Sequence, residues 1–235
     1  MIKVEGIIIY SKLIKDNDLF IKVLTKEDKL ISGLVFGGNS SKKKIIYQVG
    51  YFIEFSLNTK NSNFISFSNA CLSKPFISNI LLDKFKSYAL ISIISLLNLS
   101  IVEGQKINGL YSSSYKILEI LLNNNHWISY YCEWLFILLK IIGYEIDYKS
   151  KKNYPFFDLY DQQFIRENTE NSLYFPHNLF THSSKITYLE VNTVFEIFEK
   201  IIVKNHLDTI NKKIPISFTN FKKEVIKILK DKNDK

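Results

Sequence analysis

Residues 4–36 read VEGIIIYSKLIKDNDLFIKVLTKEDKLISGLVF, three apolar, β-branched runs separated by two polar turns. Val4, Gly6, Ile8 and Tyr10 alternate with Glu5, Ile7, Ile9 and Ser11 in a β-branched run that suits a pleated strand. KDND at 15–18 is a turn, because short Asp and Asn side chains bond their own backbone. LFIKVLT (19–25) gives a second strand, KEDK (26–29) a second turn, and LISGLVF (30–36) a third strand. GGNSSKKK (37–44) follows as a flexible basic loop. YFIEFSL (51–57) and FISFSNACL (64–72) complete the set, separated by the polar turn NTKNSN (58–63). Five short strands in about 70 residues fit a small closed barrel, with the OB-fold the expected form.

Beyond Ser73-Lys74-Pro75 the period changes to that of helices. Ile80, Leu81, Phe85, Tyr88, Ala89, Ile91 and Leu96 keep helical spacing over 79–99. SSSYKILEILL (112–122) opens on serines able to cap. Trp127, Tyr131, Trp134, Leu135, Leu138 and Ile142 recur at steps of three or four, and that stripe is read as core. Gly143 follows as a left-handed cap. Residues 145–185 are irregular, polar and aromatic, and helical pattern returns at 189–206 and 218–229. The expected architecture is α+β: an OB-fold barrel over 1–75, then an all-α domain over 79–235 with an irregular insertion at about 145–185.

The 235 residues are 46% hydrophobic and 23% charged, which excludes a disordered chain. The longest apolar windows, 88–102 and 134–144, fall short of the about 20 residues that a membrane span needs. The opening MIKVEGIIIYSKLIKD has no small-residue cleavage site and reads as mature structure. Cys71 and Cys132 stand far apart and form neither a disulfide framework nor a metal-ligand pair, so the cytoplasm is expected.

The net charge is +8, and its distribution is uneven. Residues 1–80 hold 11 Lys against 6 acids, residues 81–150 hold 6 of each, and residues 151–235 hold 14 bases against 11 acids. A codon bias toward Lys, Asn and Ile does not concentrate charge at the front; a polyanion partner does. Lys42, Lys43 and Lys44 lie in the Gly/Ser-rich loop, and Lys12, Lys15 and Lys22 lie on or beside the first two strands. Tyr10, Phe20, Tyr51, Phe55, Phe64 and Phe67 lie on neighbouring strands, most of them needed to fill the barrel. Cationic side chains beside exposed rings are the means by which single strands are bound, so Lys12, Lys15, Lys22, Lys42, Lys43, Lys44, Phe20 and Tyr51 are the candidate DNA-binding residues.

Catalytic signals are missing. Gly33 and Gly38 have phosphate-loop spacing, but Asn39 stands where Lys is required. His177 and His182 read as surface polar residues; His126 and His206 belong to no metal motif. Asp158 and Asp161 stand among aromatics without a partner base. No catalytic residue, metal or cofactor is expected.

Several segments resemble the RecO family of bacterial recombination and repair proteins. They are the opening through Gly38, SSKKKIIYQVGYFIEFS, EWLFILLKIIGYEIDY (133–148) and IPISFTNFKKEVIKIL (214–229). In the third, Glu133, Leu135, Leu138, Leu139, Gly143, Tyr144 and Asp147 match the family's pattern. The resemblance implies binding of single- and double-stranded DNA and annealing without ATP. It also implies contact with the acidic tail of single-stranded-DNA-binding protein and, with RecR, help in loading RecA on gapped DNA in the nucleoid. Many members carry cysteines after the Gly-Tyr step, some for zinc; here that stretch is YKSKKNYPFFDLYD, so no zinc is expected. The 154–180 segment also looks shortened. Lys stands where members carry Arg, and it lacks the bidentate fork. Lys84, Lys86 and Lys140 are the candidate partner-binding residues. Two other readings stand beside this one: a helical protein-interaction adaptor whose barrel is only structural, and an RNA-binding OB-fold factor.

Overall fold

The computed structural model describes residues 3–58, 65–74, 77–182 and 185–233, with side chains to Asp231. Phe64 and most of the 58–63 turn lie outside the described residues. By internal contacts the chain divides into two compact units, Met1–Leu118 and Glu119–Lys235.

The first unit is built on five strands: β1 (Lys3–Lys15), β2 (Asp18–Thr25), β3 (Leu30–Val35), β4 (Phe52–Asn58) and β5 (Ser66–Lys74). They close into a barrel in the order β1-β2-β3-β5-β4, with β4 returning to β1. This is the OB-fold. Strand β1 is long enough to serve two neighbours. Its first residues pair with β4, from Lys3↔Ser56 to Ile7↔Phe52, while Gly6 to Lys15 pair with β2. The seam between β3 and β5 is narrow, with Leu34 opposite Ser66 and the Leu34 N–H donating to the Ile65 carbonyl at 3.0 Å.

Gly33 makes that seam possible. A Cβ there would lie 2.4 Å from the Ile65 carbonyl oxygen and 2.8 Å from the Phe67 ring. The interior is filled by Ile8, Leu19, Ile21, Val23, Val35, Tyr47, Ile53, Phe55 and Phe67. Phe55 and Phe67 meet there with ring centroids 4.8 Å apart. Both are therefore packing residues, the role expected for most of the barrel's rings.

Helices α1 (Ile77–Leu81) and α2 (Lys84–Ser100) follow, and Asp83 caps α2 by accepting from the Phe85 and Lys86 N–H groups at 2.8 and 3.0 Å. Helix α3 spans Leu110–Asn123. Its start is fixed from the barrel: the Asp28 carboxylate accepts from the Gly109 and Tyr111 N–H groups, both at 2.8 Å.

In the second unit, α4 (Trp127–Ile141), α5 (Tyr188–Ile202) and α6 (Ile216–Asn233) form the core. The aromatic stripe is packing, as its spacing predicts. Tyr131 meets Phe221 at 4.6 Å and Phe195 at 6.0 Å, and Trp127 stacks on Phe221 at 6.0 Å. Gly143 adopts φ +99 just beyond α4. A capping box of Thr187 and Glu190 starts α5. The segment expected to be irregular carries a small antiparallel sheet, β6 (Phe156–Asp158), β7 (Gln163–Ile165) and β8 (Ser172–Tyr174), in the order β7-β6-β8. Strands of three residues are too short to show a period, so pattern reading passes over them. No described helix is long and apolar enough to cross a membrane.

Candidate nucleic-acid interface

On β2 the expected alternation holds. Leu19, Ile21 and Val23 are buried, while Phe20 and Lys22 are only partly covered. On β1 it does not hold throughout. The register shifts between Ile8 and Tyr10: Ile8 faces Val23, yet Tyr10 faces Lys22. A bulge at Ile9 thus inserts one residue, and Tyr10 leaves the face that carries Ile8. Lys12 faces Phe20 across the same pair. Tyr10, Lys12, Phe20 and Lys22 therefore share the outer face of the hairpin. With Leu13 and Ile14 they line a groove of about 510 Å³.

Within the groove the Tyr10 and Phe20 rings meet edge to face at 6.3 Å, and the Lys22 ammonium stands 5.6 Å from the Tyr10 centroid. Leu13 and Ile14 are 50% and 54% exposed. Ring faces with a cation alongside offer what a nucleobase and its phosphate need.

The basic loop is tied to this hairpin. The Gly37 N–H donates to the Asp18 carboxylate at 2.7 Å, and the Asn39 N–H donates to the Asn17 carbonyl at 2.8 Å. Turns then carry the chain through Lys42, Lys43 and Lys44, all exposed; the Lys43 and Lys44 N–H groups donate to the Ser40 carbonyl. The Lys43 ammonium donates to the Phe36 carbonyl at 3.1 Å.

Charge pairing separates these lysines from Lys3, Lys26 and Lys74. Among the described residues, none of Lys12, Lys15, Lys22, Lys42, Lys43 and Lys44 forms an ion pair. The barrel's acids are mostly engaged elsewhere. Glu5 faces Lys26 at 3.5 Å and Lys74 at 4.0 Å, and it accepts from the Tyr111 hydroxyl at 3.3 Å. Burial, with Glu5 beside it, pushes the Tyr111 phenol well above its ordinary range. Glu54 faces Lys3, and Asp28 holds α3. Lys15 differs from the other five because it stands opposite Asp18 at the turn, next to Asp16.

Tyr51 lies apart from the groove. Its hydroxyl is 3.4 Å from the Ser78 hydroxyl, and its carbonyl accepts from the Ile8 N–H. Sequence reasoning passed over Leu13 and Ile14, because an exposed apolar pair on a strand reads as core.

The candidate partner-binding residues fall in different units. Lys84 and Lys86 lie on the first turn of α2 in the first unit, with the Lys84 ammonium 5.9 Å from the Tyr88 ring. Lys140 is on α4 in the second unit and is paired with Glu145. His177 and His182 take separate partners: the Tyr154 carbonyl for the first, Ser129 and Glu133 for the second. Among the described residues no group of three His, Cys, Asp or Glu could hold a metal. Asp158 is used in a turn, where N–H bonds from Asp161 and Tyr160 hold its carboxyl below the usual range.

A closed barrel of this strand order, with a cationic groove and exposed rings on its outer face, is an OB-fold domain of the kind that commonly takes nucleic-acid strands. Residues 1–76 match the family model described as the recombination protein O N terminal. The chain is 33% identical over 146 residues to the DNA repair protein RecO of Rickettsia akari, covering 62% of this chain and 61% of that protein. It is 33% identical over 147 residues to that of Rickettsia bellii (63% and 60%) and 30% identical over 145 residues to that of Hyphomonas neptunium (61% and 60%). Over these matched residues the chain is similar to the RecO proteins, and its first 76 residues match their N-terminal domain. The matched stretch spans about three fifths of these relatives' length.

Proposed function

We propose that this protein acts in DNA repair and recombination by holding single-stranded DNA on its barrel, 1–75, while the helical remainder, 79–235, engages protein partners. One observation carries this reading: Lys12 and Lys22 line a groove that also presents Tyr10 and Phe20, Lys42, Lys43 and Lys44 lie in the loop anchored to the same hairpin, and among the described residues none of the five has a carboxylate partner. Ammonium groups lower the repulsion between two phosphate backbones, and rings stack unpaired bases without regard to sequence. That chemistry suits binding of single- and double-stranded DNA and annealing of complementary strands. It requires no nucleophile and no ATP.

The relatives bear the name DNA repair protein, which fits this role. By extension from the family, the proposed partners are the acidic tail of single-stranded-DNA-binding protein and RecR, with RecA loading on gaps as the outcome. The place of work would be the nucleoid. Lys84, exposed on the first turn of α2, is a better candidate for a partner than Lys140, whose charge Glu145 offsets.

The test is annealing of complementary oligonucleotides without nucleotide, with and without coating by single-stranded-DNA-binding protein. Faster annealing on both substrates supports the reading. Affinity for an acidic tail with no effect on bare strands would support an adaptor instead. Preference for RNA oligonucleotides over DNA would move the barrel to RNA.

A further inference from the structure

The second unit carries another cationic groove, about 510 Å³, between α5 and α6. Asn192 and Glu199 of α5 form one wall; Thr219, Lys222, Lys223, Ile226, Lys227, Lys230 and Asp231 of α6 form the other. The lysines have different states. The Lys222 ammonium donates to the Glu199 carboxylate at 2.6 Å, so that pair is internally neutral. Lys230 stands 5.0 Å over the Tyr188 ring. Lys223 and Lys227 are exposed and, among the described residues, have no carboxylate partner.

Lys223, Lys227 and Lys230 are spaced i, i+4, i+7, which places them in one row along α6. At 1.5 Å rise per residue the steps along the axis are about 6 Å and about 4.5 Å. A row of similar charges at short, near-regular steps matches a repeating polyanion. Its apolar content is the half-buried Ile226 and the lysine stems, which leaves no deep pocket for a bulky apolar anchor.

We propose that the α5–α6 groove is a second nucleic-acid site, separate from the barrel, which follows the phosphate backbone of a second single strand. The site rests on its own residues. Combined with the barrel reading, it gives one molecule a surface for each of two strands, which is what bringing complementary strands together requires.

The experiment is stoichiometric titration of the full-length protein with fluorescent oligo(dT) of 12 nucleotides at 50 mM salt. The wild type binds two oligonucleotides. The variant K223A/K227A/K230A binds one and anneals complementary strands more slowly, with its circular-dichroism melting curve unchanged. The variant K42A/K43A/K44A keeps the α6 event, so failure of one site is told apart from failure of the other. Three phosphate contacts give the second event a salt slope near −2, about an 18-fold loss of affinity from 50 to 200 mM. Replacing the three lysines with Arg restores two-strand binding. One oligonucleotide per wild-type chain, or two on the α6 alanine variant, overturns the proposal. So does an α6 variant that keeps both oligonucleotides but loses an Asp-rich peptide, since the groove would then belong to an acidic peptide.

Discussion

Replacing Lys42, Lys43 and Lys44 with Ala is the sharpest perturbation of the barrel site. Among the described residues, Lys12 and Lys22 in the groove and Lys42, Lys43 and Lys44 in the loop lack a carboxylate partner; Lys15 is set aside because Asp18 stands opposite it. If each meets one phosphate of a single strand, the log–log salt slope is near −3.5, and affinity falls about 130-fold between 50 and 200 mM salt. Removing the three loop lysines leaves Lys12 and Lys22, so the slope becomes about −1.4 and the same salt change costs about sevenfold. The loop is exposed and its anchors to the hairpin run through Gly37 and Asn39, so the variant gives up only the exposed bond from Lys43 to the Phe36 carbonyl and keeps the barrel. The assay is fluorescence anisotropy with labelled oligo(dT) at four or five salt concentrations, reading the tighter event. An unchanged slope would refute the reasoning, because the loop would then contribute no phosphate contact.

Phe20→Ala should weaken oligo(dT) binding by about 1–3 kcal/mol with little change in salt slope, since a stacked ring and not a charge is lost; a changed slope with unchanged affinity would contradict that role. Gly33→Ala should destabilise the first unit by about 1–3 kcal/mol in urea unfolding, because its Cβ meets the Ile65 carbonyl at the β3–β5 seam. Asp28→Ala should cost about 1–2 kcal/mol in the same measurement through loss of the bonds that start α3, while Asp28→Asn should recover part of it. Burial, with Glu5 and Glu133 beside them, raises the Tyr111 and Tyr148 phenols above their ordinary value of 10.0. The neutral phenol is thus favoured in the folded state, so that stabilisation is present below about pH 10 and is lost as pH rises further. Melting temperature should fall steeply there, and less steeply in a Tyr111→Phe, Tyr148→Phe variant; equal slopes would contradict this.

The five strands were legible because β-branched runs alternate between turns such as KDND and KEDK, and each run is long enough to show its period. The helices of the second unit were legible from the Trp127–Leu138 stripe, which packs on Phe195 and Phe221 as its spacing requires. The sheet at 156–174 was not, because three-residue strands carry no period. Within the site, Lys22 and Phe20 could be read from alternation on β2, and Lys12 from its charge alone. Tyr10 could not be placed outside, because simple alternation puts it with Ile8; the bulge at Ile9 reverses its face, and no residue type announces a bulge. The position of Tyr51 was not legible either. It precedes β4, and its side chain reaches Ser78 on α1 instead of the groove. Lys140 looked available in sequence, but Glu145 folds back onto it across the Gly143 turn.

In the proposed function a single strand lies across the outer face of β1 and β2. Ultraviolet crosslinking of oligo(dT) to the intact protein, with the adducts located by mass spectrometry, tests it most directly. Adducts are expected on Tyr10 and Phe20, lost on addition of unlabelled single-stranded DNA. Adducts confined to Tyr51 or to the α2 face of the barrel, with Tyr10 and Phe20 unmodified, would contradict it.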